Sequence, residues 1–189
     1  MMRFCPTCGA ALEWRVPAGD DRERHVCPSC GTVHYLNPKI VVGSVCVRGD
    51  RLLLCRRAIP PRRGYWTIPA GYLELGETAE AGARREAWEE ARARIELEGL
   101  MAVYSVERIG QIQLLYRAAL LHDDVAAGPE SLEVCLLRWE EIPWPELAFP
   151  TVAWILEHAR RLRGHPGPLI TVGNPGLRQP DPVPEEAGM

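Results

Sequence analysis

The apolar residues of the chain fall into short runs rich in β-branched residues, separated by turns that contain glycine or proline. Residues 40–47 and 51–57 predict two strands joined across Gly49-Asp50, which is typical of a β-hairpin. Residues 66–70 predict a short extended piece. Further strands are predicted at residues 97–106, 111–121 and 133–139.

Two segments have the spacing of a helix instead. In residues 78–92, alanines recur at every fourth position (79, 83 and 87), so a helix there can pack closely on a sheet. A second helix is predicted to open at Pro150-Thr151. Its apolar face consists of Val152, Ile155, Leu156, Ala159 and Leu162. Strands with one intervening and one closing helix predict an α/β sandwich with a mixed sheet.

Changes in composition divide the chain into three parts. Asn37-Pro38 marks a first junction, because a residue before proline favours an extended backbone. We therefore expect a small domain at residues 1–38 and the main domain at residues 39–163. Residues 164–189 are rich in proline and glycine without a periodic apolar face, which predicts a flexible tail.

Overall composition excludes several classes of protein. With 47% hydrophobic and 25% charged residues, the chain resembles an ordinary globular protein. The net charge of -3 gives no overall basic field and does not favour a nucleic acid partner. No apolar run approaches the roughly 20 residues of a membrane span, and the first residues lack a signal-peptide core. We therefore expect a cytoplasmic protein without a membrane partner.

Four of the seven cysteines form a repeated motif. Cys5-Pro-Thr-Cys8-Gly and Cys27-Pro-Ser-Cys30-Gly are near copies, and such paired turns commonly present four thiolates to one structural zinc ion. A disulfide pair or a redox motif is the alternative interpretation, and His25 or His34 could replace one cysteine. A segment of fewer than 40 residues builds little core, so bound zinc would supply much of its folding energy.

The predicted helix at residues 78–92 carries a cluster of acids. Glu86, Glu89 and Glu90 stand at i, i+3 and i+4, so their carboxylates share one face of the helix. Such crowding of like charge is unfavourable unless a cation lies between the acids. Several hard oxygen ligands on one face suit Mg²⁺ or Mn²⁺.

A solvated helix with pairs of opposite charge is the alternative. Glu80 can pair with Arg84, and Glu90 with Arg94, both at a spacing of four residues. The loop at residues 71–77 argues against this alternative, because its glycines permit a tight turn and Glu77 lies where it can face the same cation.

From Gly71 to Glu90 the chain resembles the Nudix box: glycine, five residues, Glu77, seven residues, then Arg85-Glu-x-x-Glu-Glu90. The position that is usually glycine two residues later is Arg92, which affects where the helix ends. The resemblance implies the Nudix α/β/α sandwich over about residues 39–160. The cysteine segment resembles the zinc ribbon that precedes some Nudix domains.

This resemblance implies metal-dependent attack of water on a phosphorus atom. Glu86, Glu89 and Glu90 would bind Mg²⁺ or Mn²⁺, with Glu89 or Glu90 bridging two ions and Glu77 adding a ligand through water. Arg85 would orient a glutamate of the box. The general base stays open between a glutamate of the box and an acid of a later loop. In that loop the candidates are Glu130 and Glu133, and Glu133 is preferred because it immediately precedes a predicted strand.

Substrate binding requires cations for a diphosphate and flat surfaces for a base. The cations before the box are Arg56, Arg57, Arg62 and Arg63, and a solvated surface is the alternative for each. Trp66 is the candidate for stacking, together with Tyr65, Tyr104 and Tyr116, and a place in the core or in packing is the alternative for each.

Segments 37–43, 69–74 and 128–133 resemble the branch that hydrolyses ADP-ribose or FAD to AMP plus ribose 5-phosphate or FMN. One alternative is an NADH or NAD-capped RNA pyrophosphatase. Its motif Ser-Gln-Pro-Trp-Pro-Phe-Pro is matched here only by Trp144-Pro-Glu-Leu-Ala-Phe-Pro150. The other is a non-catalytic regulator that binds a nucleotide or nucleic acid. Since Nudix pyrophosphatases often dimerise, a homodimer is also compatible with the resemblance.

Overall fold

The computed structural model describes residues 2–163 and Thr171–Val172. It divides into two units, and the first ends at Pro38. The units are Met1–Pro38 and Lys39–Met189. Most of the predicted tail at residues 164–189 lies outside the described residues. Within the described part, no helix is long and apolar enough to cross a membrane.

The first unit contains a small antiparallel sheet. Its strands, in the order β1-β2-β3, are β1 (Glu13–Arg15), β2 (Arg24–Val26) and β3 (Val33–His34). Little apolar surface is buried here: Cys5, Val26 and Cys27 are the buried hydrophobic residues of this unit, and His25 is buried beside them. So small a core stabilises a fold weakly, which is consistent with a unit held together by a bound metal.

The second unit is built on a mixed sheet in the order β10-β5-β4-β9-β8-β11, with β6 paired to β5 and β7 to β4. Strands β4 and β9 are parallel, as are β8 and β11, and the other pairs are antiparallel. The strands are β4 (Lys39–Arg48), β5 (Arg51–Arg57), β6 (Trp66–Thr67), β7 (Ala70–Tyr72), β8 (Ile95–Val106), β9 (Gln111–Leu120), β10 (Ser131–Arg138) and β11 (Thr171–Val172).

One helix covers each face of this sheet. Strand β5 shows the division, because Leu52 and Leu54 pack in one cluster while Leu53 and Cys55 pack in another. The first cluster includes the apolar face of α2 (Pro150–Arg161), and the second includes alanines of α1 (Ala79–Ala91). This alternation is the period of two expected of a strand that is buried on both faces. The predicted α/β/α sandwich with a mixed sheet is therefore confirmed.

Helix α1 is capped at both ends. The hydroxyl of Thr78 accepts a hydrogen bond from the amide of Ala81 at 3.2 Å, which caps the N-terminus. At the other end, Arg92 has φ 52° and ψ 22°, the left-handed conformation that glycine normally supplies at this position. Its amide donates to the carbonyl of Trp88 at 2.9 Å. The helix thus ends at Ala91 although Arg92 replaces the usual glycine.

The observed β10 differs from its predicted bounds in a way that affects the site. The sequence predicted a strand at residues 133–139, but β10 begins at Ser131, and Trp139 opens a short 3-10 turn. Glu133 therefore lies at the third position of the strand instead of where the loop meets the strand, whereas Glu130 is the residue immediately before β10. Pairing with β5 from Arg57 onward sets this start, and no local signal in residues 131–133 predicts it.

Candidate functional site

The guanidinium of Arg85 lies at the centre of the acidic cluster. Its Nη2 and Nε donate to the two carboxylate oxygens of Glu77, at 2.8 and 3.1 Å. Its Nη1 donates to Glu86 at 2.7 Å and to Glu89 at 2.9 Å. The hydrogen bonds from Arg85 lower the pKa of Glu77. Part of the charge crowding predicted from the sequence is therefore relieved by an arginine of the same motif.

Arg85 also ties the helix to the loop in front of it. Its Nη2 donates to the carbonyl of Tyr72 at 2.9 Å, and Glu77 accepts a hydrogen bond from the amide of Glu74 at 2.8 Å. A Cβ at Gly82 would approach Glu77 Oε1 to 2.9 Å, so the absence of a side chain there makes room for this carboxylate. Loop 73–78 and the first turns of α1 are thus one hydrogen-bonded unit.

Glu86 is buried under strand β7. A Cβ at Gly71 would overlap both carboxylate oxygens of Glu86, so only glycine allows the strand to pass this close. Burial raises the pKa of Glu86, although Arg85 acts in the opposite direction. The glycine that opens the motif is therefore required by a close approach to one of its acids.

Glu90 is the most buried acid of the group, with 5% of its surface exposed. Its carboxylate accepts a hydrogen bond from the amide of Ala70 at 3.2 Å, and no ion pair to it occurs among the described residues. Burial raises the pKa of Glu90 to about 8, and the charge of Glu86 acts in the same direction. A buried carboxyl group without a cationic partner would be stabilised in its charged form by a bound cation.

The donor chemistry of the four acids fits a divalent cation. Glu77, Glu86, Glu89 and Glu90 offer only hard oxygen ligands, and Arg85 leaves them with a formal excess of negative charge. Of the described residues, only the cysteines place three or more ligand atoms within 4.8 Å of one another, so the acids are not gathered around one point. Mg²⁺ usually keeps several of its own waters, so it does not need all four acids as direct ligands.

Glu130 and Glu133 have different surroundings. The charge of Glu130 raises the pKa of both Glu86 and Glu90, and its backbone carbonyl accepts from the amide of Ala58 at 2.8 Å. Glu133 instead lies 3.5 Å from Arg56 across the β10–β5 pair. Glu130 lies two residues after Gly128, whose amide donates to the Glu90 carbonyl at 3.0 Å, so its segment lies at the end of α1, whereas Glu133 is paired with an arginine.

Of the predicted cations, Arg57 is the one whose charge reaches the acids. It opposes the larger effect of burial, which raises the pKa of Glu90. Its Nε donates to the carbonyl of Pro61 at 2.9 Å, and its guanidinium lies 5.2 Å from the Phe149 ring centroid. No ion pair of Arg57 is found within the part of the chain that the structure describes. Arg57 therefore presents a positive charge that no neighbouring carboxylate neutralises.

The remaining substrate-binding candidates are placed less favourably. Arg56 donates to the carbonyl of Gly64 at 2.9 Å and faces Glu133, and Arg63 is exposed on the loop. Trp66 is 8% exposed and belongs to the core that contains α2. Its ring lies under Arg56, with 5.9 Å between the guanidinium carbon and the ring centroid, so it offers little surface for stacking.

Several contacts of the site have no signal in the sequence. The amide of Ala70 and the carbonyl of Tyr72 act through the backbone, which any residue supplies. Gly128 lies against the end of α1, but the Gly128-Pro129 dipeptide indicates only a turn. These contacts depend on the pairing of β7 with β4 and on the path of the chain before β10.

The four motif cysteines of the first unit lie together as predicted. Cys5 and Cys30 are 3.7 Å apart and Cys8 and Cys27 are 3.4 Å apart, measured between sulfur atoms. A tetrahedral site with Zn–S distances of about 2.3 Å separates its sulfur atoms by about 3.8 Å, so this donor set fits zinc. All seven cysteines are free, and His34 lies beside the set with Nε2 at 3.4 Å from Cys5 Sγ.

Local hydrogen bonds favour the metal-binding form of one of these thiols. Desolvation opposes ionisation of Cys5, but the backbone at Thr7 and Cys8 and the side chain of His34 outweigh it and lower its pKa to about 5. The thiolate is the species that binds zinc, so these hydrogen bonds favour the zinc-binding form of Cys5.

Family models match both units of the chain. The model described as "Nudix N-terminal" matches residues 3–36, and the model described as "NUDIX domain" matches residues 37–156. Together they span the cysteine motif and the acidic helix with its preceding loop.

Similar proteins agree with these matches. The crystal structure of a NUDIX hydrolase from Nitrosomonas europaea is 46% identical, with a TM-score of 0.87 over 91% of this chain and 98% of that one. The NAD-capped RNA hydrolase NudC of Stutzerimonas stutzeri is 32% identical over 89% of this chain but only 60% of its own length. An ADP-ribose pyrophosphatase of Methanocaldococcus jannaschii is 27% identical over 69% of this chain and 78% of its own. The chain thus spans less than two thirds of the NudC relative.

The cysteine site predicts about one zinc ion per chain. Cys8→Ser should lose the zinc and the ordered structure of residues 3–36, because the metal supplies much of this unit's folding energy. Metal analysis by mass spectrometry and the amide dispersion of this unit in NMR spectra measure both effects. Cys135→Ser, which removes a cysteine of β10, is the matched control and should keep the zinc. A zinc-free wild-type protein with an ordered first unit would contradict the assignment.

Replacing Glu90 by glutamine should separate stability from metal binding. In the metal-free protein, Glu90 binds its proton more tightly in the folded state than in the unfolded chain. The free energy of unfolding of the wild-type protein should therefore fall as pH rises from about 4.5 to about 8. The Glu90→Gln variant cannot lose this proton and keeps its stability, so at pH 8.5 in EDTA it should unfold at a higher urea concentration than the wild-type protein. Added Mn²⁺ should stabilise wild type much more than the variant.

The control is Glu96→Gln, which removes one exposed carboxylate of β8. It should follow wild type in both conditions. Equal stabilisation of Glu90→Gln and wild type by Mn²⁺ would contradict the role of Glu90.

Proposed function

The chain belongs to the Nudix hydrolase family, and we propose that it is a Mg²⁺- or Mn²⁺-dependent pyrophosphatase that hydrolyses ADP-ribose or FAD. The observation that carries the proposal is the buried carboxyl pair Glu86 and Glu90, with Glu130 and Arg57 close enough to shift the pKa of Glu90. Such a site combines ligands for a divalent ion, an acid to accept a proton and a cation for phosphate.

In this proposal Glu86, Glu89 and Glu90 would hold the ion, and Glu77 would contribute through water. When bound, the ion supplies charge neutralisation for the phosphate oxygens. Arg85 is a positioning residue, because its hydrogen bonds to Glu77, Glu86 and Glu89 fix the carboxylates relative to one another. Burial of Glu86 and Glu90 excludes water and strengthens their interaction with any cation.

Glu130 is the proposed general base, in place of Glu133, which the sequence favoured. Glu133 faces Arg56, whereas no ion pair of Glu130 is found in the described residues. Glu130 would take a proton from the attacking water as the new P–O bond forms, and the bond to the leaving phosphate oxygen breaks. A proton acceptor in hydrogen-bond reach typically accounts for about 10²- to 10⁴-fold in rate.

Arg57 is the proposed phosphate ligand. Its unneutralised charge near Glu90 suits a group that is anionic and lies beside the metal. Arg63 is exposed on the loop that follows β5 and could contact the diphosphate, while Arg56 would first have to leave Glu133. These cations would bind the diphosphate. Other surfaces of the protein would select the two groups that the diphosphate links.

Two substrate classes are supported by separate observations. The motifs at residues 69–74 and 128–133, together with the similarity to an ADP-ribose pyrophosphatase, support ADP-ribose or FAD. The similarity to NudC extends over 89% of the chain, which supports NADH or NAD-capped RNA as the second candidate. The NAD compounds are the second candidate because the sequence lacks Ser-Gln-Pro before Trp144. Cytoplasmic location and homodimer formation stay predictions.

The substrate proposal predicts the products of a panel assay. The purified protein with Mg²⁺ should convert ADP-ribose to AMP plus ribose 5-phosphate, or FAD to AMP plus FMN, faster than it cleaves NADH or NAD-capped RNA. Chromatography of the products and parallel reactions in EDTA measure this. Faster cleavage of the NAD compounds would support the second candidate. Binding of nucleotides without hydrolysis would indicate a regulator.

The base proposal predicts a difference between two neighbouring acids. Glu130→Gln should lower kcat about 100-fold or more with little change in KM, since it removes a proton acceptor and leaves the metal ligands in place. Glu133→Gln is the matched control and should retain most of the activity. Steady-state kinetics on the best substrate of the panel tests this. A large loss in Glu133→Gln with an active Glu130→Gln would reverse the assignment.

A further inference from the structure

The chain before β10 caps the C-terminal end of the acidic helix. The amide of Gly128 donates to the carbonyl of Glu90 at 3.0 Å, and the amide of Ala126 donates to that of Ala91 at 3.0 Å. Helix α1 ends at Ala91 and cannot satisfy these carbonyls itself. The donors that complete the helix therefore come from a segment more than 30 residues later.

Gly128 fits this place because it has no side chain. It is buried, and a Cβ there would overlap the carbonyl oxygen of Glu89 and lie 2.8 Å from its carbonyl carbon. The backbone angle φ of Gly128 is outside the left-handed region, so space and not conformation requires the glycine. Any larger residue must push the segment away from the backbone of Glu89 and Glu90.

The same segment carries Glu130. The carbonyl of Gly128 accepts a hydrogen bond from the amide of Ser131 at 3.1 Å, which closes a turn around Pro129 and Glu130. Within this turn, the carbonyl of Glu130 accepts a hydrogen bond from the amide of Ala58, the residue after β5. The backbone of Glu130 is therefore held between the end of α1 on one side and the end of β5 on the other.

We propose that Gly128 is a positioning residue for hydrolysis, which docks its segment directly on the backbone of Glu89 and Glu90 and so sets the place of Glu130 relative to these acids. The inference rests on the proposed role of Glu130 as general base. Reacting groups must be placed closely, because a displacement of about 1 Å can cost about 100-fold in rate. A side chain at residue 128 would produce a displacement of this kind.

A role in stability alone is the competing explanation. Gly128 caps a helix, so its loss would lower stability whether or not it serves the reaction. If it acts by placing Glu130, a variant at residue 128 should lower kcat in the folded enzyme. Removal of the Glu130 carboxylate should then matter much less in that variant, because the group is already misplaced.

A double-mutant cycle on the full chain tests this proposal. Gly128→Ala should lower kcat about 10- to 100-fold with KM changed much less. Glu130→Gln should cost far less in the Gly128→Ala background than in wild type. The control Ala127→Ser, at an exposed neighbouring position, should behave as wild type. Mn²⁺ binding measured by electron paramagnetic resonance should remain close to wild type in all the variants.

A second variant keeps the proposal testable if Gly128→Ala does not fold. Pro129→Gly adds no atoms but loosens the turn between Gly128 and Glu130. It should also lower kcat, and its effect should again be smaller when combined with Glu130→Gln.

The outcomes separate the two claims. If Glu130→Gln alone leaves kcat unchanged, the proposed role of Glu130 fails. If Glu130→Gln is impaired but its effect simply adds to those of Gly128→Ala and Pro129→Gly, the positioning role of Gly128 is overturned. Normal activity in a folded Gly128→Ala enzyme would overturn it as well.

Discussion

The site depends on the burial of two carboxyl groups one helical turn apart. Glu86 and Glu90 lie on the buried side of α1, where desolvation disfavours their charged forms. Arg85 offsets this cost for Glu86 and also holds Glu77 and Glu89, but among the described residues no arginine forms an ion pair with Glu90. A helix stabilised only for folding gains nothing from this arrangement, whereas a divalent ion would supply the missing charge.

Three glycines make this arrangement sterically accessible. Gly71 lets β7 pass over the carboxylate of Glu86, Gly82 leaves room for Glu77, and Gly128 lets the segment before β10 contact the backbone of Glu89. In each case a Cβ would come closer than 3.0 Å to an atom of an acidic residue. At these three points the backbone therefore passes so close to an acidic residue that a side chain would clash.

The sequence predicted the features that depend on local spacing. Helical periodicity placed Glu86, Glu89 and Glu90 on one face, and the repeated cysteine turns placed four thiols together, because both patterns act over a few residues. From the sequence, Glu133 was preferred over Glu130 because a strand was predicted to start there. The actual start of β10 depends on its pairing with β5, which local sequence does not reveal. The burial of Trp66 likewise follows from tertiary packing.

The central claim is that the buried acids of α1 exist to bind a divalent cation. Anomalous diffraction from crystals grown with Mn²⁺ tests it most directly. We expect at least one manganese peak within about 2.5 Å of carboxylate oxygens of Glu86 and Glu90, with Arg85 still bound to Glu77. Crystals at saturating Mn²⁺ in which Arg85 remains the only cation beside these carboxylates, with no peak at α1, would contradict the claim.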